Sequence, residues 1–179
     1  MDREEHYLIP ENRKGIQVDL VYEAQYESVE DAEDLFVDAM KRLLIVNKWH
    51  QYAENVSVKL MDNHNKEVIR RAHSGDRLQV IIERNDPALF SIDAIEYDDY
   101  PDENKESIAI RVSPIDETGA GTIEPDFATS TLVIEREKEK LIASYHGRNN
   151  DIDTKESPDE WQGLNEKKIQ EFITNIISF

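Results

Sequence analysis

Tyr145-His146-Gly147-Arg148-Asn149 is the most polar strand end in the chain. A histidine and an arginine two positions apart on a strand point to the same side. Facing a cavity, they would fix an anionic or carbonyl-bearing ligand, with Arg148 contributing a planar fork of donors. Arg111, set mid-strand between Ile110 and Val112, would join them. Facing water, the same groups would pair with the abundant carboxylates. Hairpin register separates the two outcomes. With Ile134 opposite Ala143, Tyr145 shares the apolar face with Leu132 and His146 points outward. With Ile134 opposite Ile142, His146 turns inward. Pattern alone leaves both open, although burying an unpaired arginine costs several kcal/mol and weighs toward the outward register.

Trp49, His50 and Tyr52 follow the first helical stretch. They could line a cavity mouth. Equally, Trp49 could plug the core beneath the helix end while His50 meets the negative helix terminus. The candidate ligand-binding set is therefore Trp49, Tyr52, Arg111, Tyr145, His146 and Arg148. Asp93, Glu96, Asp98, Asp99, Asp102, Glu103 and Glu106 form an acidic run opposed by Lys105 alone. No glycine sharpens a calcium-binding turn there, so it reads as a solvated hairpin tip. Asn149, Asp151, Asp153 and Glu160 have EF-hand spacing, but Thr154 replaces the obligatory glycine and no helix enters. No metal site and no cofactor are expected. The chain carries no Gly-x-Ser-x-Gly elbow, no His-Glu-x-x-His and no glycine-rich phosphate loop. Its histidines and carboxylates could make an acid–base pair, but catalysis is not indicated.

The chain has 179 residues, enough for one domain with a real core. Thirty-nine acidic against 21 basic side chains leave a net charge of −18. Such a chain repels polyphosphate and anionic lipid, which argues against nucleic acid and membrane surfaces as partners. Without cysteine there are no disulfides, thiolate metal sites or thiol nucleophiles. The start, Met1-Asp2-Arg3-Glu4-Glu5, lacks a basic, apolar signal, and no run approaches the roughly 20 apolar residues of a membrane span. A cytoplasmic protein is the expectation.

The elements that must position these groups follow from periodicity. Residues 1–14 read as a polar arm, ahead of a single domain over 15–179. Ile16 to Tyr26 alternates as a strand. Ser28 caps a helix to about Val46, with Ala32, Leu35, Phe36, Ala39, Met40, Leu43 and Leu44 on one stripe. Strands are expected at Val56–Leu60, Val68–Arg71, Leu78–Ile82, Phe90–Tyr97 and Ile108–Val112. Ile115–Phe127 reads as a long loop, a candidate rim. Thr129–Arg136 and Leu141–Arg148 form a hairpin. Ser157-Pro158-Asp159-Glu160 opens a final helix whose apolar face holds Trp161, Leu164, Ile169, Phe172, Ile173, Ile176 and Ile177.

One helix cannot cover both faces of about seven strands, but an antiparallel sheet needs covering on one face only. The expected class is α+β, with a curved antiparallel sheet wrapped around the C-terminal helix. This order is similar to the START-like, or helix-grip, fold of the polyketide-cyclase and lipid-transfer superfamily. Ile110-Arg111-Val112-Ser113-Pro114, Phe127-Ala128-Thr129-Ser130-Thr131 and Tyr145-His146-Gly147-Arg148-Asn149 further resemble a bacterial family near that superfamily, one with no assigned chemistry. Gly75-Asp76 and Trp49-His50 fit the same pattern, whereas Glu83-Arg84-Asn85-Asp86-Pro87 departs from it. The resemblance implies a small apolar or amphipathic ligand held between sheet and helix. Two rivals stand beside it. One is an acidic interaction module that meets a basic partner or forms a homodimer through a strand edge. The other is a cyclase- or hydrolase-like enzyme on the same fold.

Overall fold

The first strand, β1 (Ile16–Gln25), ends where Ser28 begins a helix. The Ser28 hydroxyl accepts a hydrogen bond from Asp31 N at 3.1 Å, satisfying one orphan donor of α1 (Val29–Leu44). Acids in the first turn and Lys41 and Arg42 in the last complement the helix dipole. A 3-10 turn, Val46–Gln51, leads into six further strands: β2 (Val56–Met61), β3 (Arg77–Ile82), β4 (Ala88–Tyr100), β5 (Lys105–Pro114), β6 (Thr129–Glu137) and β7 (Lys140–Asn150). The last element is α2 (Glu166–Ile176). The structure is a computed structural model that describes residues 6–82, 86–115, 128–150 and 166–178. The helix start expected at Ser157–Glu160, Trp161 and Leu164, and the loop expected beyond Ile115, lie outside the described residues.

The sheet order is β1-β7-β6-β5-β4-β3-β2, antiparallel throughout. α1 carries the chain from one edge strand to the other, and the remaining strands return by neighbour pairing until β7 meets β1. The sheet is curved. Its concave face holds the core. Val58, Leu60, Leu78, Phe90, Ile92, Ile108, Ile110, Ile134, Leu141 and Ala143 meet the apolar stripes of both helices there. α1 contributes Ala32, Leu35, Phe36, Ala39 and Leu43, and α2 contributes Ile169, Phe172, Ile173 and Ile176. Burying each large aliphatic or aromatic side chain contributes about 1.5–3 kcal/mol.

The C-terminal end of α2 is fastened by side chains from elsewhere. Arg42 Nη1 donates to Ile176 O at 3.0 Å, and the Tyr26 hydroxyl donates to Ile177 O at 2.7 Å. These donors occupy carbonyls that a helix end leaves without partners.

On the convex face, Leu8 packs with Ala109 and Val133. Residues 6–14 are tied down further by Asn149, whose Oδ1 accepts from Arg13 N (2.7 Å) and Lys14 N (3.2 Å) and whose N donates to Asn12 Oδ1 (2.7 Å). A composition that reads as a polar arm thus lies along the sheet.

The strand expected at Val68–Arg71 does not form. Glu67, just before the segment, makes an isolated bridge to Met61, Val68 N donates to Leu60 O at 3.0 Å, and Ile69 is 87% exposed. The place beside β2 is filled by β3, with Val58 opposite Val80. Arg70 instead turns to Asp76, its Nη1 and Nη2 donating at 2.6 and 2.9 Å, and Ala72 N donates to Leu44 O at 2.8 Å. A bidentate ion pair and a backbone bond to α1 outbid the ladder that alternation alone suggested.

Two outcomes follow. Ile173→Ala, at a site 1% exposed, should cost about 2–5 kcal/mol, read as a lowered urea midpoint at unchanged slope. The second concerns Asp76. Burial raises its carboxyl, but hydrogen bonds from Arg70 and His73 N outweigh that and hold it below the ordinary value. Its contribution to stability is therefore complete above the unfolded pKa of about 3.9 and is lost as pH falls through the folded value. Asp76→Asn should lower stability at pH 7 and flatten the acid limb of a midpoint-against-pH curve. An unchanged acid limb would show that Asp76 is not responsible for it.

Candidate functional site

The hairpin register settles the direction of β7. Ile134 lies opposite Ala143 and Leu132 opposite Tyr145. Tyr145 therefore enters the concave core, while Ser144, His146 and Arg148 project from the convex face. The six candidate residues do not form one site. Trp49 and Tyr145 line an interior cavity, Tyr52 is not in its lining but packs against Phe172, and Arg111, His146 and Arg148 lie on the other side of the sheet.

The cavity lies between sheet and α2 and has a volume of about 50 Å³. Its walls are Trp49, Ala53, Val56, Val58, Leu78, Val80, Phe90, Ile110, Val112 and Leu132, closed by Ile169 and Phe172 of α2. Trp49 Nε1 donates to Arg42 O and Leu43 O, each at 3.2 Å, so the indole both caps the end of α1 and presents its ring to the interior. Phe172 meets Trp49 edge-on at 5.0 Å and Tyr52 at 6.1 Å. The polar groups of the lining are two hydroxyls, Ser130 and Tyr145, 2.8 Å apart. Burial pushes the Tyr145 phenol up to about 12, opposed by the Ser130 hydrogen bond. Tyr145 therefore stays neutral and can donate or accept. Ser130 was not singled out from the sequence. Its signal was the period-two step from Leu132, which places it on the inward face.

The convex face carries the ionic chemistry. Asp19 of β1 lies opposite His146 of β7. Asp19 Oδ1 is 2.6 Å from His146 Nδ1 and 2.8 Å from Arg148 Nη2. His146 Nε2 is 2.9 Å from Ser144 Oγ. Burial raises the Asp19 carboxyl, but hydrogen bonds from Gln17, His146 and Arg148 prevail and hold it below the ordinary range. Arg148 is only 2% exposed yet paired, which removes the cost of an orphaned buried guanidinium. Arg111 Nε lies 3.5 Å from Asp93, whose carboxylate also accepts from Ser113. The acidic run is spread over separate partners: Asp98 accepts from the Tyr7 hydroxyl at 2.9 Å, and Glu106 accepts from Arg136 at 2.9 Å. Among the described residues, no three histidine or acidic side chains gather to hold a metal ion, and no helix is long and apolar enough to cross a membrane.

No protein-family model matches the chain, and no curated protein is similar to it. The likeness to a bacterial family drawn from Ile110–Pro114 and Tyr145–Asn149 thus has no family match behind it. Solved structures do match. A hypothetical protein from Helicobacter pylori superposes with a TM-score of 0.52 at 11% identity, over 90% of this chain and 84% of its own. A protein from Staphylococcus epidermidis gives 0.45 at 12% identity, over 92% and 90%. Ara h 8.0201 gives 0.39 at 14% identity, over 90% and 95%. At such identities a likeness speaks of fold alone, and of these three only the Helicobacter pylori protein is similar enough to carry it. The chain is α+β, with a curved seven-stranded antiparallel sheet and a C-terminal helix.

Proposed function

We propose that this protein binds a small apolar or amphipathic molecule between the sheet and α2. The observation that supports the reading is an apolar cavity between the sheet and α2, with a hydroxyl pair at its wall. Ligand sites commonly combine apolar walls with a few placed polar groups. Trp49 and Phe172 supply the aromatic surface, and the Tyr145 and Ser130 hydroxyls, bonded to each other behind an apolar lining, are the polar groups an amphipathic guest would have to uncover.

Volume sets the terms. About 50 Å³ is a third of the roughly 150 Å³ that houses benzene and far below the about 300–1,000 Å³ of drug-sized sites. A guest must therefore open the cavity as it enters. Arg42 and Tyr26 hold the C-terminal end of α2. Its other end is held near Glu54 by exposed bonds, Lys168 Nζ to Glu54 O at 3.1 Å and Glu54 N to Glu171 Oε1 at 3.2 Å. Exposed polar bonds of this kind are weak. Entry proceeds by lifting Ile169 and Phe172 away from the sheet about the fastened end.

The test is methyl NMR with benzene, indole and octanoic acid as probes, alongside native mass spectrometry of freshly purified protein. The methyl groups of Val58, Ile110 and Ile169 should shift saturably, and Ala53→Phe, which fills the hole, should abolish the shifts. A folded wild-type protein with neither saturable shifts nor co-purified mass would end the proposal. The hydroxyl pair has its own signature. Tyr145→Phe should leave the buried Ser130 hydroxyl without this partner and cost about 1–2 kcal/mol in denaturant unfolding. The same change should also remove one tyrosine that ionises near the top of an absorbance titration.

A further inference from the structure

The convex face brings a carboxylate, an imidazole and a hydroxyl into one line. His146 Nδ1 meets Asp19 Oδ1 at 2.6 Å, and Nε2 meets Ser144 Oγ at 2.9 Å. Both separations and the order of the groups match what a nucleophile, its base and the base's orienting group require. Both outer members are placed by sheet register rather than by loops. Ser144 and His146 stand two apart on β7, and Asp19 faces His146 from β1. Strand-borne groups hold such geometry tightly. Arg148 Nη2, at 2.8 Å from the same Asp19 oxygen, fixes the carboxylate in place.

Ser144 is 5% exposed and His146 is half-buried. The network lines an open recess of about 310 Å³. His6, Val133 and Glu135 share its wall. Leu8 N donates to His6 Nδ1 at 3.1 Å, so neutral His6 carries its proton on Nε2. That nitrogen is buried, makes no hydrogen bond among the described residues, and lies 3.5 Å from Asp98 Oδ2. A recess of this size admits a short ester. Asp19, Glu23 and Glu135 on its wall, and the net charge of −18, disfavour an anionic one.

We propose that Ser144, His146 and Asp19 form an acyl-transfer relay that hydrolyses short neutral or cationic carboxylic esters in the convex recess. Ser144 Oγ attacks the ester carbonyl carbon as its proton passes to His146 Nε2. The carbonyl–alkoxy bond breaks, and the leaving alcohol takes that proton, giving an acyl ester on Ser144. Water then attacks the acyl carbon and gives a proton to Nε2. The bond to Oγ breaks, the proton returns to Oγ, and the carboxylic acid leaves. This site is on the opposite face from the apolar cavity, so it stands or falls separately from ligand binding there.

The test uses the full chain, p-nitrophenyl acetate and an alkyl fluorophosphonate. Intact-mass and peptide-mapping spectrometry should place one phosphonyl adduct on Ser144. His146→Gln and Asp19→Asn should each slow labelling and p-nitrophenol release by about 10²-fold. Ser144→Ala should abolish both. Circular dichroism and thermal melts establish that each variant is folded, and Arg148→Lys serves as a second probe of Asp19 positioning with every relay member intact. Folded wild-type protein that takes no adduct on Ser144, or takes one that is indifferent to His146→Gln, overturns the proposal.

Discussion

The burial of one flank of α2 on the concave sheet is the contact everything else leans on. Ile169, Phe172, Ile173 and Ile176 are what keep water from strands that would otherwise expose a continuous apolar surface. Such a cover has no directional preference, so direction comes from polar fasteners. Arg42 reaches from α1 to Ile176 O, sits 6.0 Å from the Tyr52 ring, and so joins both helices to the 3-10 turn that carries Trp49. Tyr26, just after β1, holds the neighbouring carbonyl. The position of the last helix is thus written partly in residues more than a hundred positions earlier.

The sheet separates two chemistries by its thickness alone. Alternation sends Tyr145 into a dry interior and Ser144 and His146 to the other side. Inside, a hydroxyl pair is bonded together at the cavity wall, and dispersion and shape decide what fits. Outside, charges are buried in pairs. Arg148 is buried against Asp19 there, while on the concave side, at the end of the sheet next to Leu141, Arg136 meets Glu106, Asn104 Oδ1 (2.8 Å) and Lys138 O (3.0 Å); both show how nearly inaccessible guanidinium groups persist when their donors are met.

The excess of 18 negative charges shapes both faces differently. The cavity is screened from it by apolar walls, so its guest is chosen by size and polarity. The recess is open to it, and Asp19, Glu23 and Glu135 reinforce the sign locally. A field of this kind repels anionic molecules before contact and draws cationic ones inward.

Local chemistry was legible residue by residue. Ser28 announced the start of α1, the stripe from Ala32 to Leu43 announced its buried face, alternation broken at single positions announced β1 and β3, and the hairpin with β6 announced β7. These features depend on neighbours within a turn or a strand, which a linear pattern records. Val68–Arg71 misled because the competing partners of Arg70 and Ala72 lie in another segment. The facing of His146 waited on the Ile134–Ala143 pairing, since a slip of one residue exchanges the two faces while leaving the pattern unchanged. The size of the cavity, and the line from Asp19 through His146 to Ser144, came only with packing and with the pairing of β1 to β7 across more than a hundred residues. Periodicity specifies which side of an element is apolar. Distances between groups far apart in the chain belong to the close-packed fold.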